Sequence, residues 1–472
     1  MFNKINEECG VFGIYSVDEK LKVAEETYLA LYALQHRGQE SCGIAVNDKG
    51  VIVSYKDLGL VHEVFNPMVM KHLEGGQMAI GHTRYSTIGS ASRENAQPLV
   101  SKYVKGTIAL AHNGNLVNAG SLRTELENNG AIFQTTNDSE VMLYVLAKER
   151  IASHTVEEAV LRMMDIIKGA YSLVIMSPRK LIAVRDPQGF RPLCMGNIND
   201  SIVFASESCA LDALGAKFIR DVEPGEVIVV DENGIQSYKK EKQNTGLCIF
   251  EFIYFARPDS VIDGASVHLA RQEAGRYLAI EHPVDADIVC GVPDSGLDAA
   301  LGYSKQSGIP YGLAFIKNRY IGRTFIQSSQ DERERSVKIK LNALKASIDG
   351  KRVVLIDDSI VRGTTTAKTI KLLKDAGAKE VHMRISSPPF MHPCFFGTDV
   401  DSCENLIACK MSVDKICETI GADSLGYLSL ENVIKIPVGS NRNYCFGCFS
   451  GKYPIDVPEK VEKNKFERKL SE

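Results

Sequence analysis

The chain has 472 residues, 44% of them hydrophobic and 24% charged, with a formal net charge of −4. That length suits two domains, and the slight acidic excess argues against a protein that coats nucleic acid. No apolar run reaches the roughly 20 residues needed to span a bilayer, the start MFNKINEECG lacks a secretory core, and twelve cysteines without such a signal imply reduced thiols in the cytoplasm.

Taken in chain order, residues 9 to about 235 hold many short β-like runs, among them VFGIY, GIAVN, VIVSY, MAIGHTRY, TIALAHNG, SLVIM, LIAVRD, IVFASE and EVIVVD. Two helical stretches are expected among them, near 24–35 and 139–149. Strands with helices grouped between them indicate a layered α+β domain over 9–237. The polar stretch YKKEKQNT, 238–245, reads as a linker. Beyond it, over 246–457, DIVCGVP, YGLAFIKN, KRVVLIDD and EVHMRISS alternate with helical segments such as 265–280 and 367–376. That rhythm is doubly wound α/β. The tail, 458–472, is rich in Lys and Glu and reads as solvated.

Cys9 lies in EECGVFGIY, a polar leader followed at once by a strand. Four further segments accompany it: LQHRGQES (34–41), GHTRYST (81–87), AHNGNL (111–116) and TNDSE (136–140). Together with Cys-Gly-Val-Phe-Gly they resemble the class II glutamine amidotransferase domain, an N-terminal-nucleophile hydrolase of αββα architecture. Cleaving a side-chain amide needs a nucleophile, a base, an oxyanion site and a handle on the amino acid. A thiol of pKa about 8.5 can pass its proton to an α-amino group of about 7.7–8.0, so an N-terminal Cys needs no separate base. The resemblance implies that residues 1–8 are a propeptide removed by autocatalytic cleavage, leaving Cys9 first. It also implies an oxyanion hole from Asn113 and the N–H of Gly114. Glutamine would be held by Arg84 at its carboxylate and Asp138 at its ammonium, with Arg37 and Gly38 on a loop closing over it. His82 and His112 read as structural, and Tyr85 as packing.

In the second half, VVLIDDSIVRGTT (353–365) runs as a strand and delivers Asp357 and Asp358 to its end. Ser359, Gly363, Thr364 and Thr365 then open a helix expected to reach about Lys374. Open α/β sheets collect ligands at the carboxyl ends of strands, where amides at the next helix N-terminus cradle anions. Carboxylates cannot face a phosphate directly, so the pair suits ribose hydroxyls or a Mg²⁺ that the phosphates share. The segment resembles the phosphoribosyl pyrophosphate (PRPP) signature of type I phosphoribosyltransferases. GVPDSG, 291–296, follows a strand as a nest of amides suited to pyrophosphate. By resemblance, Asp294, Ser295 and Gly296 bind PRPP, and Ser295 joins Asp357 and Asp358 at Mg²⁺. The polar stretch 317–341 is long for a connection in a compact domain. It reads as a lid in which Lys317, Arg319, Tyr320, Lys338 and Lys340 fold over PRPP, the competing reading being a solvated helix.

Cys445 and Cys448 form CFGC, with Cys248 and Cys394 far upstream. Thiolates suit zinc or iron–sulfur, and spacing alone does not choose. A glutaminase fused to a PRPP fold resembles the amidophosphoribosyltransferase family, and these four positions resemble the [4Fe–4S] ligands of its subgroup with a processed leader; structural zinc is the alternative. Cys403, Cys409 and Cys417 are extra thiols nearby. The family reaction turns glutamine, PRPP and water into 5-phosphoribosylamine, glutamate and pyrophosphate, the first step of purine synthesis. The resemblance further implies a homotetramer, inhibition by purine nucleotides, and an ammonia channel completed by the lid.

Overall fold

Period-two alternation layers the first half. In the strand Gly10–Tyr15, Phe12 and Ile14 turn toward the helix Val23–Ala33, while Val11 turns the other way and meets a second sheet. The computed structural model, which describes residues 9–18, 20–85, 92–240, 244–318, 341–398, 400 and 402–458, shows where this leads. Gly10–Tyr15 lies inside a seven-stranded antiparallel sheet, in the order 217–221, 194–198, 201–205, 10–15, 78–84, 41–48, 51–58. A six-stranded sheet faces it, in the order 234–239, 226–231, 181–185, 169–176, 106–116, 99–103. Alanine and valine dominate between the sheets, as at Ala45, Ala109, Ala111, Val174 and Ala183. A Cβ on Gly13 would stand 2.5 Å from Val174 Cγ1, so the sheets close tightly there. The helices Asp138–Ala152 and Val156–Ile166 cover the outer face of the second sheet. The sandwich is helix, sheet, sheet, helix.

The first half is richer in helix than the sequence reading expects. Besides Val23–Ala33 and Asp138–Ala152, Ala119–Asn128 and Val156–Ile166 are helical. The last carries a start signal that the reading missed: Thr155 Oγ1 accepts the Glu158 N–H at 3.3 Å, and Glu158 reaches back to the His154 N–H at 3.0 Å. The polar stretch 238–245 also begins inside a strand, Gly234–Lys239, because that strand pairs fully with Glu226–Asp231.

In the second half four parallel strands stand in chain order, Ile288–Gly291, Arg352–Asp357, Glu380–Ile385 and Ser424–Tyr427. Val354 and Ile356 pack on one side, Val353 and Leu355 on the other, which is how a doubly covered sheet reads in sequence. The helices Val267–Glu281 and Gly296–Ser307 cross in backbone contact. A Cβ on Gly275 would lie 1.8 Å from the Ala299 carbonyl, and one on Gly302 1.9 Å from that of Gln272. Within the second half, a short parallel pairing of Leu247–Cys248 with Tyr444–Cys445 ties its first residues to its C-terminal segment and places Cys248 beside Cys445.

Candidate active sites

Cys9 is brought to its surroundings by close backbone contacts. A Cβ on Gly10 would stand 2.8 Å from Thr83 Oγ1, and one on Gly38 2.6 Å from the Arg84 nitrogen. Only glycines let the turn at 37–38 press on the strand Met78–Arg84, gathering Cys9, Arg37 and Arg84. The Cys9 thiol is 8% exposed and donates to the Tyr85 carbonyl at 3.5 Å.

The strand Gly106–Leu116 contacts both Gly10–Tyr15 and Met78–Arg84 and carries Asn113. Both polar atoms of the Asn113 side chain are buried without a hydrogen-bond partner. A stranded buried polar group costs about 1–3 kcal/mol, so an amide left this way is fitted to a ligand. Gly114 follows at φ +142°, where a Cβ would sit 2.1 Å from the Ala170 carbonyl. Asp138 opens the helix Asp138–Ala152, whose cap Asn137 accepts the Ser139 N–H at 3.0 Å. It accepts the Leu116 N–H at 2.9 Å and stands 3.6 Å from the His112 ring. Burial raises its pKa, but His112, the Leu116 amide and Arg84 outweigh that and hold the carboxyl below its ordinary range. A buried guanidinium and a buried carboxylate near one thiol complement the two charges of an amino acid. His82 bonds the His112 carbonyl at 2.9 Å and is kept neutral by burial, which lowers its pKa to about 3.

Arg37 departs from its expected place on a loop over the substrate. It is 1% exposed, and its Nε donates to the Cys9 carbonyl at 3.0 Å. Its fork bonds Glu207 at 2.6 Å and Glu251 at 2.8 and 2.9 Å. Glu251 takes the guanidinium in bidentate geometry and Glu207 adds a third bond, so the fork is fully engaged and Arg37 Nε holds the Cys9 backbone. Gly38, jammed against Arg84, belongs to the same rigid turn. Burial works to raise both carboxyls, yet their partners outweigh it and hold them below the ordinary range: His36 and Arg37 at Glu207, Arg37 and Arg191 at Glu251. Arg191 also donates to the Phe396 carbonyl at 2.6 Å. Sequence reasoning passed over Glu207, Glu251 and Arg191. The signal for Glu251 was its isolation within CIFEFIYFA, since a lone carboxylate in an apolar run must be paired.

In the second half, a Cβ on Gly291 would lie 2.5 Å from the Gly296 carbonyl, and one on Gly296 2.3 Å from that of Ile356. The 291–296 turn is thereby locked beside the strand Arg352–Asp357, and the Val292 N–H donates to the Ile356 carbonyl at 2.8 Å. Ser295 donates to Asp358, whose other oxygen accepts the Ser359 hydroxyl at 2.5 Å. Asp357 accepts the Asp358 N–H at 3.0 Å. Gly363, at φ +76°, precedes the helix Thr364–Asp375, and Thr364 and Thr365 supply its first unpaired amides. Asp294, Ser295, Gly296, Asp357, Asp358, Ser359, Gly363, Thr364 and Thr365 thus lie along the carboxyl ends of two adjacent strands. Lys317 ends the strand Phe315–Lys317 and pairs with Asp294. Arg319, Tyr320, Lys338 and Lys340 lie outside the described residues.

The four cysteines of the CFGC set converge. The Cys448 thiol is pushed up by burial and by Cys394, Cys248 and Cys445, and burial raises Cys445 to about 12. The Cys394 sulfur accepts the Phe396 N–H at 3.4 Å, and the Cys448 carbonyl accepts the N–H groups of Met391 and His392 at 3.0 Å each. Among the described residues no three His, Cys, Asp or Glu side chains are grouped as closely as a single metal ion requires, and no helix is long and apolar enough to cross a membrane.

Residues 82–213 match the family described as glutamine amidotransferase domain, and residues 270–386 that described as phosphoribosyl transferase domain. The chain is 49% identical over 468 residues to an amidophosphoribosyltransferase of Synechocystis sp., covering 98% of this chain and 94% of that protein. It is 50% identical over 453 residues to that of Archaeoglobus fulgidus, covering 95% and 98%. Among solved structures it resembles glutamine PRPP amidotransferase from B. subtilis complexed with ADP and GMP, at TM-score 0.89, 46% identity and coverage of 96% and 99%.

Proposed function

Because this chain belongs to the amidophosphoribosyltransferase family, which transfers the glutamine amide nitrogen to PRPP in the first step of purine biosynthesis, we propose that Cys9, Asn113 and the 357–365 turn carry the two half-reactions. The Cys9 sulfur attacks the amide carbon of glutamine, and the thiol proton passes to the α-amino group of a chain beginning at Cys9. The Asn113 amide and the Gly114 N–H hold the oxyanion, a contact whose loss typically costs about 2.7–4 kcal/mol. Ammonia leaves, and water cleaves the glutamyl thioester to glutamate. Arg84 and Asp138 fix the amino acid's charges, and Arg37 fixes the backbone of the nucleophile. The observation that carries this reading is the buried Asn113 amide without a partner.

In the second half ammonia forms a bond to ribose C1 as the C1–oxygen bond to pyrophosphate breaks. The 291–296 turn and the amides at Thr364 and Thr365 bind the phosphates, and Asp357 and Asp358 take the ribose hydroxyls or Mg²⁺. Two carboxylates and a serine suit a magnesium ion, which completes its shell with waters and substrate phosphates. Bound there, Mg²⁺ would neutralise charge on the departing pyrophosphate. Lys317 pairs with Asp294 until phosphate displaces the carboxylate. The ADP and GMP bound by the B. subtilis relative support purine nucleotides as inhibitors here, and a homotetramer is the proposed assembly.

We read Cys248, Cys394, Cys445 and Cys448 as the holders of a [4Fe–4S] cluster. The resemblance of these four positions to the ligands of the family's iron–sulfur subgroup favours that reading over zinc, which the same thiolates would also suit. The mutual influence of the four thiols supports one shared site. Two measurements test these assignments. The mass of active protein should correspond to a chain starting at Cys9, and retention of Met1 sinks the amine-base assignment. Anaerobically purified protein should contain iron and sulfide with a brown absorbance, and stoichiometric zinc sinks the cluster.

A further inference from the structure

Between the 359–363 turn and the cysteine set lies another thiol pair that neither site uses. Cys403 and Cys409 stand in two successive short turns, Cys403–Asn405 and Ile407–Cys409, which pack on each other. Both thiols donate to one acceptor, the Met391 carbonyl, at 3.5 and 3.1 Å. Cys403 is exposed and Cys409 half-buried. The residue between them reaches the PRPP turn: the Ile407 N–H donates to the Val361 carbonyl at 2.8 Å, and Ile407 Cδ1 lies 2.9 Å from where a Gly363 Cβ would be.

We propose that Cys403 and Cys409 are a reversible disulfide site that transmits thiol oxidation to the PRPP-binding turn. The co-reactant is a small-molecule disulfide, RSSR. The exposed Cys403 thiolate attacks one of its sulfurs, breaking the RS–SR bond and releasing one RS⁻. The Cys409 thiolate then attacks the Cys403 sulfur, forming the Cys403–Cys409 bond and expelling the second RS⁻. The two thiol protons end on two RSH, and RSSR takes up the two electrons that the protein loses. Burial first, and then the neighbouring Cys403, push Cys409 up to about 11, so the exposed thiol reacts first. A disulfide holds Cβ atoms about 3.5–4.5 Å apart, so closing it draws the two turns together and removes both donors from Met391. Ile407 moves with them, and its hold on Val361 and Gly363 changes. The proposal is independent of what Cys248, Cys394, Cys445 and Cys448 hold.

The test uses full-length, anaerobically purified protein equilibrated in glutathione buffers from reducing to oxidising, then alkylated and mapped. A Cys403–Cys409 cross-linked peptide should form, vanish with dithiothreitol, and accompany a rise in KM for PRPP of about threefold or more, the scale of coupling through one packed contact. Cys403→Ser and Cys409→Ser should each retain basal activity and lose both the cross-link and the KM shift. Absence of the cross-link, glutathione remaining on Cys403, a cross-link without a KM change, or a KM shift surviving in both serine variants would each overturn it.

Discussion

In the first half Cys9, Asn113, Arg84 and Asp138 are all buried, whereas in the second Lys317 and Asp294 are about half and two-thirds exposed and pair with each other. The proposed glutamine site is fixed by sheet geometry: glycine contacts set Cys9, and strand pairing sets Asn113 and Gly114. The PRPP site is built from turns at strand ends, with one of its cations already neutralised by its own carboxylate. An amide-cleaving centre gains from hydrogen-bond donors held in place before charge develops. A site for a large polyanion must admit it, so some contacts form only on binding.

Five substitutions test that contrast, the most damaging first. Cys9→Ala should lower glutamine-dependent synthesis on the order of 10⁴-fold or more while ammonia-dependent synthesis continues, because the second site does not use the thiol. Equal loss with both nitrogen sources would show that the halves are not separable. Glu251→Gln should cost about 3–5 kcal/mol of stability by leaving Arg37 and Arg191 short of charge; a thermal melt like the parent's would remove the cluster from the account. Asn113→Ala should cut the glutaminase kcat by about 10²–10³ with little change in the KM for glutamine. A pure KM effect would make Asn113 a binding residue instead. Ser295→Ala should raise the KM for PRPP about tenfold by loosening Asp358, with glutamine affinity unaltered as the reading that keeps the two sites distinct.

The smallest effect concerns pH. Burial first, and then the adjacent Asp263 carboxylate, raise Asp221 to about 7, against about 3.9 in an unfolded chain. A carboxyl raised on folding contributes stability below the unfolded value, and that contribution is lost as pH climbs through the folded one. Asp221→Asn should therefore match the parent near pH 4 and melt a few degrees higher above about pH 7. A melting difference independent of pH would show that Asp221 is already ionised throughout.

Much of both sites was legible because their signals are local. VVLIDD followed by Gly363 and Thr364 needs only a strand, a turn and a helix within thirteen residues, and the helix appears as Thr364–Asp375. Asn113 and Gly114 lie on a strand, as the run TIALAHNG indicates, and that strand contacts the one that follows Cys9. The ion cluster was not legible, because Arg37 finds Glu207 170 residues on and Glu251 214 residues on. A sequence shows that a lone carboxylate in an aromatic run needs a cation, but not which one. Arg37 went astray for the same reason, its partners being set by how the halves dock. The helix Val156–Ile166 was missed although both its Thr-x-x-Glu start and the helical spacing of Val156, Val160, Met163 and Met164 were there to be read.

The pairing of Arg37 and Arg191 with Glu251 has a consequence for synthesis of the chain. A ribosome completes both sheets of the first half, through Lys239, before Glu251 emerges. Until it does, Arg37 and Arg191 lack the carboxylate that pairs with both, and Arg37 is the one that holds the Cys9 carbonyl. The ion cluster that holds the Cys9 backbone is thus completed by a residue that follows the first half in the chain. A fragment ending at residue 240 should squander no glutamine, because maturation waits for the half that can use the nitrogen.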